Sequence, residues 1–77
     1  MKKITVNGEA YVMRPLCVED IAPGTLVCGC YVRKAYRILM RDGGEWIMRN
    51  LRHPDLVDVA TTEWILENCD YMVPAHE

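Results

Sequence analysis

Ala35-Tyr36-Arg37-Ile38-Leu39-Met40-Arg41-Asp42-Gly43-Gly44-Glu45-Trp46-Ile47-Met48-Arg49 is the stretch on which the fold turns. Apolar and charged residues alternate on both sides of Asp42-Gly43-Gly44, which is the pattern of two antiparallel strands joined where the backbone reverses. Loop parity decides which side chains share a face, because a slip of one residue moves every side chain to the other side of a sheet. A two-residue loop sets Arg41 beside Trp46 and Ile38 beside Arg49, mixing charge with core. A three-residue loop sets Tyr36, Ile38 and Met40 with Trp46 and Met48, a wholly apolar set. It leaves Arg37, Leu39, Arg41, Glu45, Ile47 and Arg49 on the opposite face. Register follows the buried face, so the three-residue loop, with Gly in the left-handed position, is the expected one.

Upstream, Ile4-Thr5-Val6 and Ala10-Tyr11-Val12-Met13 flank Asn7-Gly8. Both residues of this dipeptide tolerate positive φ, which makes it the strongest short hairpin signal. A two-residue loop there pairs Val6 with Glu9 and Ile4 with Tyr11. Pro15 ends the second strand, and Cys17 to Ile21 is long enough for a single helical turn only. Pro23-Gly24 marks a tight turn. Thr25 to Val32 reads as a strand, in which Gly29 suggests a bulge or a close backbone approach. Downstream of the central hairpin, His53-Pro54-Asp55 is a loop and Leu56 to Ala60 a strand. Thr61 or Thr62 caps a short helix, Glu63 to Asn68, with Trp64, Ile65 and Leu66 partly inward. Asp70 to Val73 is a last strand before Pro74. The competing reading fuses residues 56–69 into one helix, since Trp64 falls on the same helical face as Leu56, and gives an α+β chain.

A chain of 77 residues fits one domain, residues 1–77, with no room for a second. Apolar residues make up 51% of it, enough for a globular core and too many for a disordered chain. Phe is absent, so two Trp and four Tyr supply the aromatic bulk. So small a domain has a thin core, and self-association would relieve it. Lys2 and Lys3 resemble the start of a signal peptide, but Asn7-Gly8-Glu9 interrupts the apolar run that should follow. No stretch approaches the ~20 apolar residues of a membrane span. The expected compartment is the cytoplasm, and no membrane partner is expected.

The expected class is therefore mainly β, five to six short strands with one-turn helices in the connections, curved into a small barrel. Asp20-Ile21-Ala22-Pro23-Gly24-Thr25-Leu26-Val27 resembles the turn that opens many SH3-like barrels, and the short helical turn before the final strand is similar to the one they place near the C-terminus. The resemblance spans residues 17–73. It implies a binding scaffold that recognises peptides, protein surfaces or nucleic acid.

Catalytic signatures are missing from the sequence. There is no Gly-rich phosphate loop, no metalloprotease helix motif, and no Ser at all. The carboxylate pairs Asp55/Asp58 and Glu63/Glu67 are those of any solvated surface. No enzymatic role, cofactor or metal is expected. Cys28 and Cys30 are the only close cysteine pair. On a strand their thiols lie on one face ~7 Å apart, too far for adjacent bonds to one ion without distortion. Neither His53 nor His76 has a partner at ligand spacing.

Charge is distributed unevenly. Residues 33–53 hold Arg33, Lys34, Arg37, Arg41, Arg49 and Arg52 against Asp42 and Glu45, whereas residues 54–77 hold six acids and no Lys or Arg. One reading is a solvated face balanced by the acidic third. The other is a partner-binding stripe of Arg37, Leu39, Arg41, Ile47 and Arg49, with aliphatic contact inside a charged frame. Nucleic-acid binders carry a basic excess, but the net charge here is −2 and the pI about 5.6. A protein partner is thus favoured over nucleic acid. Size and class together suggest an accessory or inhibitory factor of phage or prophage type, by analogy and not by motif. From the missing leader and poor ligand spacing, Cys17, Cys28, Cys30 and Cys69 are expected to be reduced and metal-free. Intact mass lower by four hydrogens, or one zinc per chain by elemental analysis, would refute this.

Overall fold

The computed structural model describes residues 2–29 and 34–75. Among the described residues, seven strands form one antiparallel sheet: β1 (Lys3–Val6), β2 (Glu9–Arg14), β3 (Leu26–Gly29), β4 (Ala35–Asp42), β5 (Glu45–Asn50), β6 (Val57–Thr61) and β7 (Cys69–Pro74). Their order is β1-β2-β7-β3-β4-β5-β6, and the sheet curls into a half-barrel. Strands β3 to β6 form a meander. A short helix, α1 (Thr62–Asn68), then carries the chain across to β7, which pairs with β3 on one side and β2 on the other. The chain is mainly β, as its sequence indicates, with one strand more than the upper expectation. Of residues 56–69 only Thr62–Asn68 is α-helical, so the α+β alternative gives way to a strand plus a two-turn helix.

Local chemistry accounts for these elements. Asn7 and Gly8 take φ of 52° and 81°, so the β1–β2 turn is the two-residue reversal their side chains permit, with Val6 opposite Glu9 and Ile4 opposite Tyr11. A 3₁₀ turn, Val18–Asp20, follows Pro15. Gly24, at φ 96°, closes the turn in which the Thr25 amide donates to the Ala22 carbonyl at 3.1 Å. The strand expected over residues 25–32 is present as Leu26–Gly29; residues 30–33 lie outside the described residues. Thr61 caps α1, its Oγ1 accepting from the Trp64 amide at 3.1 Å. Asn50 is buried and its Oδ1 accepts from the Arg52 and His53 amides at 2.9 and 3.1 Å, which bends the chain out of β5.

The central hairpin departs from expectation in one respect. Its loop holds two residues, Gly43 and Gly44, with Asp42 opposite Glu45 and Arg41 opposite Trp46. Gly43 has φ 64°, a left-handed conformation suited to the first position of such a turn. The surplus residue that the apolar pattern requires is not in the loop but in β4. A β-bulge lies between Ile38 and Met40: Ile38 faces Met48, Met40 faces Ile47, and Leu39 is left over. On the turn side of the bulge, Met40 and Arg41 exchange faces relative to the three-residue reading, while Glu45, Trp46 and Ile47 of β5 keep theirs. Tyr36, Ile38, Trp46 and Met48 are buried as expected, but Met40 is 52% exposed and Arg41 joins the face of Trp46.

Two cores result, one on each side of the sheet. The inner cluster joins Ile21, Val27, Tyr36, Ile38, Trp46, Met48, Ala60, Ile65 and Cys69, with Leu16 packed on it. Ile65 is the residue by which α1 seals this side; Trp64 and Leu66, expected to be partly inward, are exposed. The Trp46 indole N–H donates to Thr62 Oγ1 at 2.9 Å, tying the helix start to the hairpin. The outer cluster joins Val6, Cys28, Ala35 and Met72 with Ile4, Tyr11, Met13, Leu26 and Leu51. Here the β1–β2 hairpin curls over the outer face of β3 and β4. Its tip is fixed by Asn7 Nδ2 donating to the Leu51 carbonyl at 2.8 Å and Arg52 Nη2 donating to the Thr5 carbonyl at 3.2 Å.

The bulge makes opposite demands on two neighbouring apolar positions. Ile38→Ala should cost ~2–5 kcal/mol of stability. Met40→Lys should change it by no more than ~0.5 kcal/mol. Denaturant unfolding of the two variants measures both, and a large loss for Met40→Lys would restore the three-residue loop.

Candidate partner-binding face

Cross-strand register places the residues of the outer face in lateral rows. Arg37 lies opposite Arg49, and Arg49 opposite Val57. One step toward the turn, Met40 lies opposite Ile47 and Ile47 opposite Val59. At the turn, Asp42 lies opposite Glu45 and Glu45 opposite Thr61. Directly opposed residues on paired strands share a face, so these three rows form one surface over β4, β5 and β6. It is uncovered where the β1–β2 hairpin stops. Met40, Val57 and Val59 are 52%, 49% and 55% exposed, while Ile47 and Leu39 are half-buried between them.

Four of the five residues expected in the stripe, Arg37, Leu39, Ile47 and Arg49, come together here. A shallow hollow of about 330 Å³ opens beside them, lined by Arg37, Leu39, Arg49, Leu51 and Pro54, with Asn50 at its edge. Arg41 does not belong to the set. The two-residue turn sets it on the inner face opposite Trp46, where its guanidinium stacks 5.6 Å from the Trp46 ring and its Nε donates to the Gly43 carbonyl at 3.1 Å. Its role is to cover the edge of a core tryptophan. Conversely, Met40, Val57 and Val59 belong to the face and were not expected there. Met40 was assigned to the core by the loop parity. The β6 residues carried a usable signal, since Val57 and Val59 alternate with Asp58 and Ala60, but that alternation gains meaning only once the pairing with β5 is known.

The inner side is open along β6. A cleft of about 530 Å³ is lined there by Lys34, Tyr36, Met48, Asp58, Ala60 and Trp64, together with Glu45, Val59 and Thr61. Tyr36 is buried, with its hydroxyl hydrogen-bonded to Asp58. Burial first, then that bond and the nearby carboxylate charge, disfavour the phenolate and push the Tyr36 pKa up to about 12. The pair closes the cleft floor at neutral pH.

Cys17 is exposed, whereas Cys28 and Cys69 are buried in different core clusters; Cys30 and His76 lie outside the described residues. No group of three or more His, Cys, Asp or Glu is placed to hold a metal ion among the described residues. No helix among them is long and apolar enough to cross a membrane.

Comparison with known proteins finds no matching family model, and no curated protein or solved structure similar to this chain.

The Tyr36–Asp58 bond has a pH signature. A tyrosine whose pKa is higher folded than unfolded binds its proton more tightly in the folded state. Its stabilisation is fully present below the unfolded value of 10.0 and is lost as pH rises toward about 12. Thermal melts across this window should show a fall in Tm that Tyr36→Phe removes, and phenolate absorbance should show one tyrosine ionising late. A Tyr36 that ionises at the ordinary value would contradict the hydrogen bond to Asp58.

Proposed function

We propose that this chain is a non-catalytic protein-binding module of the SH3-like class, acting as an accessory or inhibitory factor through the outer face of β4, β5 and β6. The carrying observation is the exposed row of Met40, Ile47 and Val59, continuous with Leu39 and Val57 and bordered by Arg37 and Arg49. Aliphatic contact framed by arginine is the composition of a protein interface, in which the arginine forks bind carboxylates in fixed geometry and the centre excludes water. The Pro23–Gly24 turn opens the meander and α1 precedes the final strand, both as the SH3-like resemblance implies. The return of β7 beside β3 also supports that likeness, because it brings the meander back on itself.

Nucleic acid is the second reading, and two observations weigh against it. Arg41, the third arginine of the stripe, is turned away onto Trp46. The aliphatic row occupies the centre of the face, where a phosphate backbone would require cations.

Ile47→Asp tests the proposal, since it places a charge at the centre of the face on a half-buried position. It should abolish association with protein while far-UV circular dichroism remains that of wild type. Charge reversal of Arg37 should weaken association by at least tenfold. Undiminished association by Ile47→Asp would remove this face from consideration. Tight, steeply salt-dependent binding of bare oligonucleotide, lost in Arg37→Glu, would replace the proposal with the nucleic-acid reading.

A further inference from the structure

We infer that the occupant of this outer face is a second copy of the same chain, stacked on it about a two-fold axis that runs across the strands along the Met40–Ile47–Val59 row. The inference rests on reading the face as a protein-binding surface and names its partner.

The pattern of the face is self-complementary. Along β5, Arg49, Ile47 and Glu45 follow one another in two-residue steps, each ~6.7 Å. The pairings of β5 with β4 and β6 extend these positions into a basic row (Arg37, Arg49), an aliphatic row (Met40, Ile47, Val59) and an acidic row (Asp42, Glu45). The aliphatic row therefore lies midway between the basic row and the acidic one. Two kinds of two-fold axis can stack such a face on a copy of itself. An axis along the strands lays arginine on arginine and acid on acid. An axis across the strands lays the aliphatic row on itself, Arg37 over Asp42 of the second copy, and Arg49 over Glu45 of the second copy, with each pair repeated by symmetry. Charge thus selects one of the two arrangements, and the interface is isologous and closed.

The separate chain also carries the cost that this stacking relieves. Like charges directly opposite on paired strands destabilise a sheet. Here Arg37 faces Arg49, and one row beyond the aliphatic centre Asp42 faces Glu45. Each pair needs opposite charge above it, and the two-fold axis brings the other pair to that place. The hollow lined by Arg37, Leu39, Arg49, Leu51 and Pro54 gives the incoming Glu45 carboxylate room beside both guanidinium groups. Three strands by three rows cover only ~300 Å² of sheet, less than the ~800 Å² per partner of a standard complex. The dimer is accordingly weak and transient.

The test uses two charge-exchanged chains. One carries Arg37→Glu and Arg49→Glu, the other Asp42→Lys and Glu45→Lys, and sedimentation equilibrium is run on each alone and on their equimolar mixture. Wild type should dimerise with concentration and dissociate as salt is raised. Each variant alone should be at least tenfold weaker, because two rows of one sign then meet. The mixture should regain dimer, since every facing row is again of opposite sign. Circular dichroism of each variant confirms that loss of dimer is not loss of fold. Wild type remaining monomeric at millimolar concentration overturns the inference. So does a dimer that both variants retain, or a mixture that stays monomeric. Any of these leaves the broader proposal to the Ile47→Asp experiment, which decides separately whether another protein occupies the face.

Discussion

The bulge between Ile38 and Met40 inserts into β4 one residue that β5 does not match, and the rest of the central hairpin is arranged around it. On the far side from the turn, Tyr36 and Ile38 join Met48 inside. On the turn side the two-residue Gly43–Gly44 reversal sets Arg41 opposite Trp46 and Met40 opposite Ile47. Arg41 lies over the rim of Trp46, where its charge stays in water and its flat guanidinium covers aromatic surface, and the bulge beyond Met40 returns Ile38 and Tyr36 to the side of Trp46 and Met48. Without the bulge, either the core would hold an arginine or the turn would need another residue. With it, the hairpin keeps its shortest turn while Tyr36 and Ile38 still share a side with Trp46 and Met48.

Placing apolar residues on both sides of the sheet raises the difficulty every chain of this size meets, since so few residues can hide only a limited surface. The solution is to fold the sheet onto itself. The β1–β2 hairpin extends the sheet beyond β7 and then curls back, so that Val6, Ile4, Tyr11 and Met13 cover Cys28, Ala35 and Met72. Hydrogen bonds from Asn7 and Arg52 hold it against the loop after β5. Cover on the inner side comes from Ile21, Leu16 and Ile65, contributed by connections. What remains bare is the part of β4, β5 and β6 that the hairpin does not reach.

Local signals in the sequence were read correctly where one dipeptide or one cap determines the geometry. Asn7-Gly8 specifies its turn and register, Pro23-Gly24 its reversal, and the Thr61-Thr62 pair the start of α1, of which Thr61 is the cap. The need for a surplus residue in the central hairpin was also legible, because Tyr36, Ile38, Trp46 and Met48 could not otherwise share a side. Its location was not. A loop residue and a bulge give the same parity for Tyr36 and Ile38 and differ only for Met40 and Arg41, whose side chains are amphipathic enough to suit either face. The candidate face inherits that ambiguity: Arg37, Leu39, Ile47 and Arg49 gather there, whereas Arg41 and Met40 exchange sides with the location of the surplus residue. Val57 and Val59 escaped notice because membership of a sheet face is a matter of long-range pairing, which periodicity within one strand does not contain.

Strand β6 lies at the edge of the sheet, and its second residue, Asp58, projects to the inner side across from Met48. The same carboxylate that holds the Tyr36 hydroxyl therefore stands as a gatekeeper on an exposed edge. A foreign strand adding itself alongside β6 would have to strip water from this charge without supplying a counter-ion. At the other limit of the sheet, β1 is only four residues long and begins with Lys3, whose side chain is exposed. Neither border offers a template for endless strand addition, so an otherwise open half-barrel is protected against fibrillar growth.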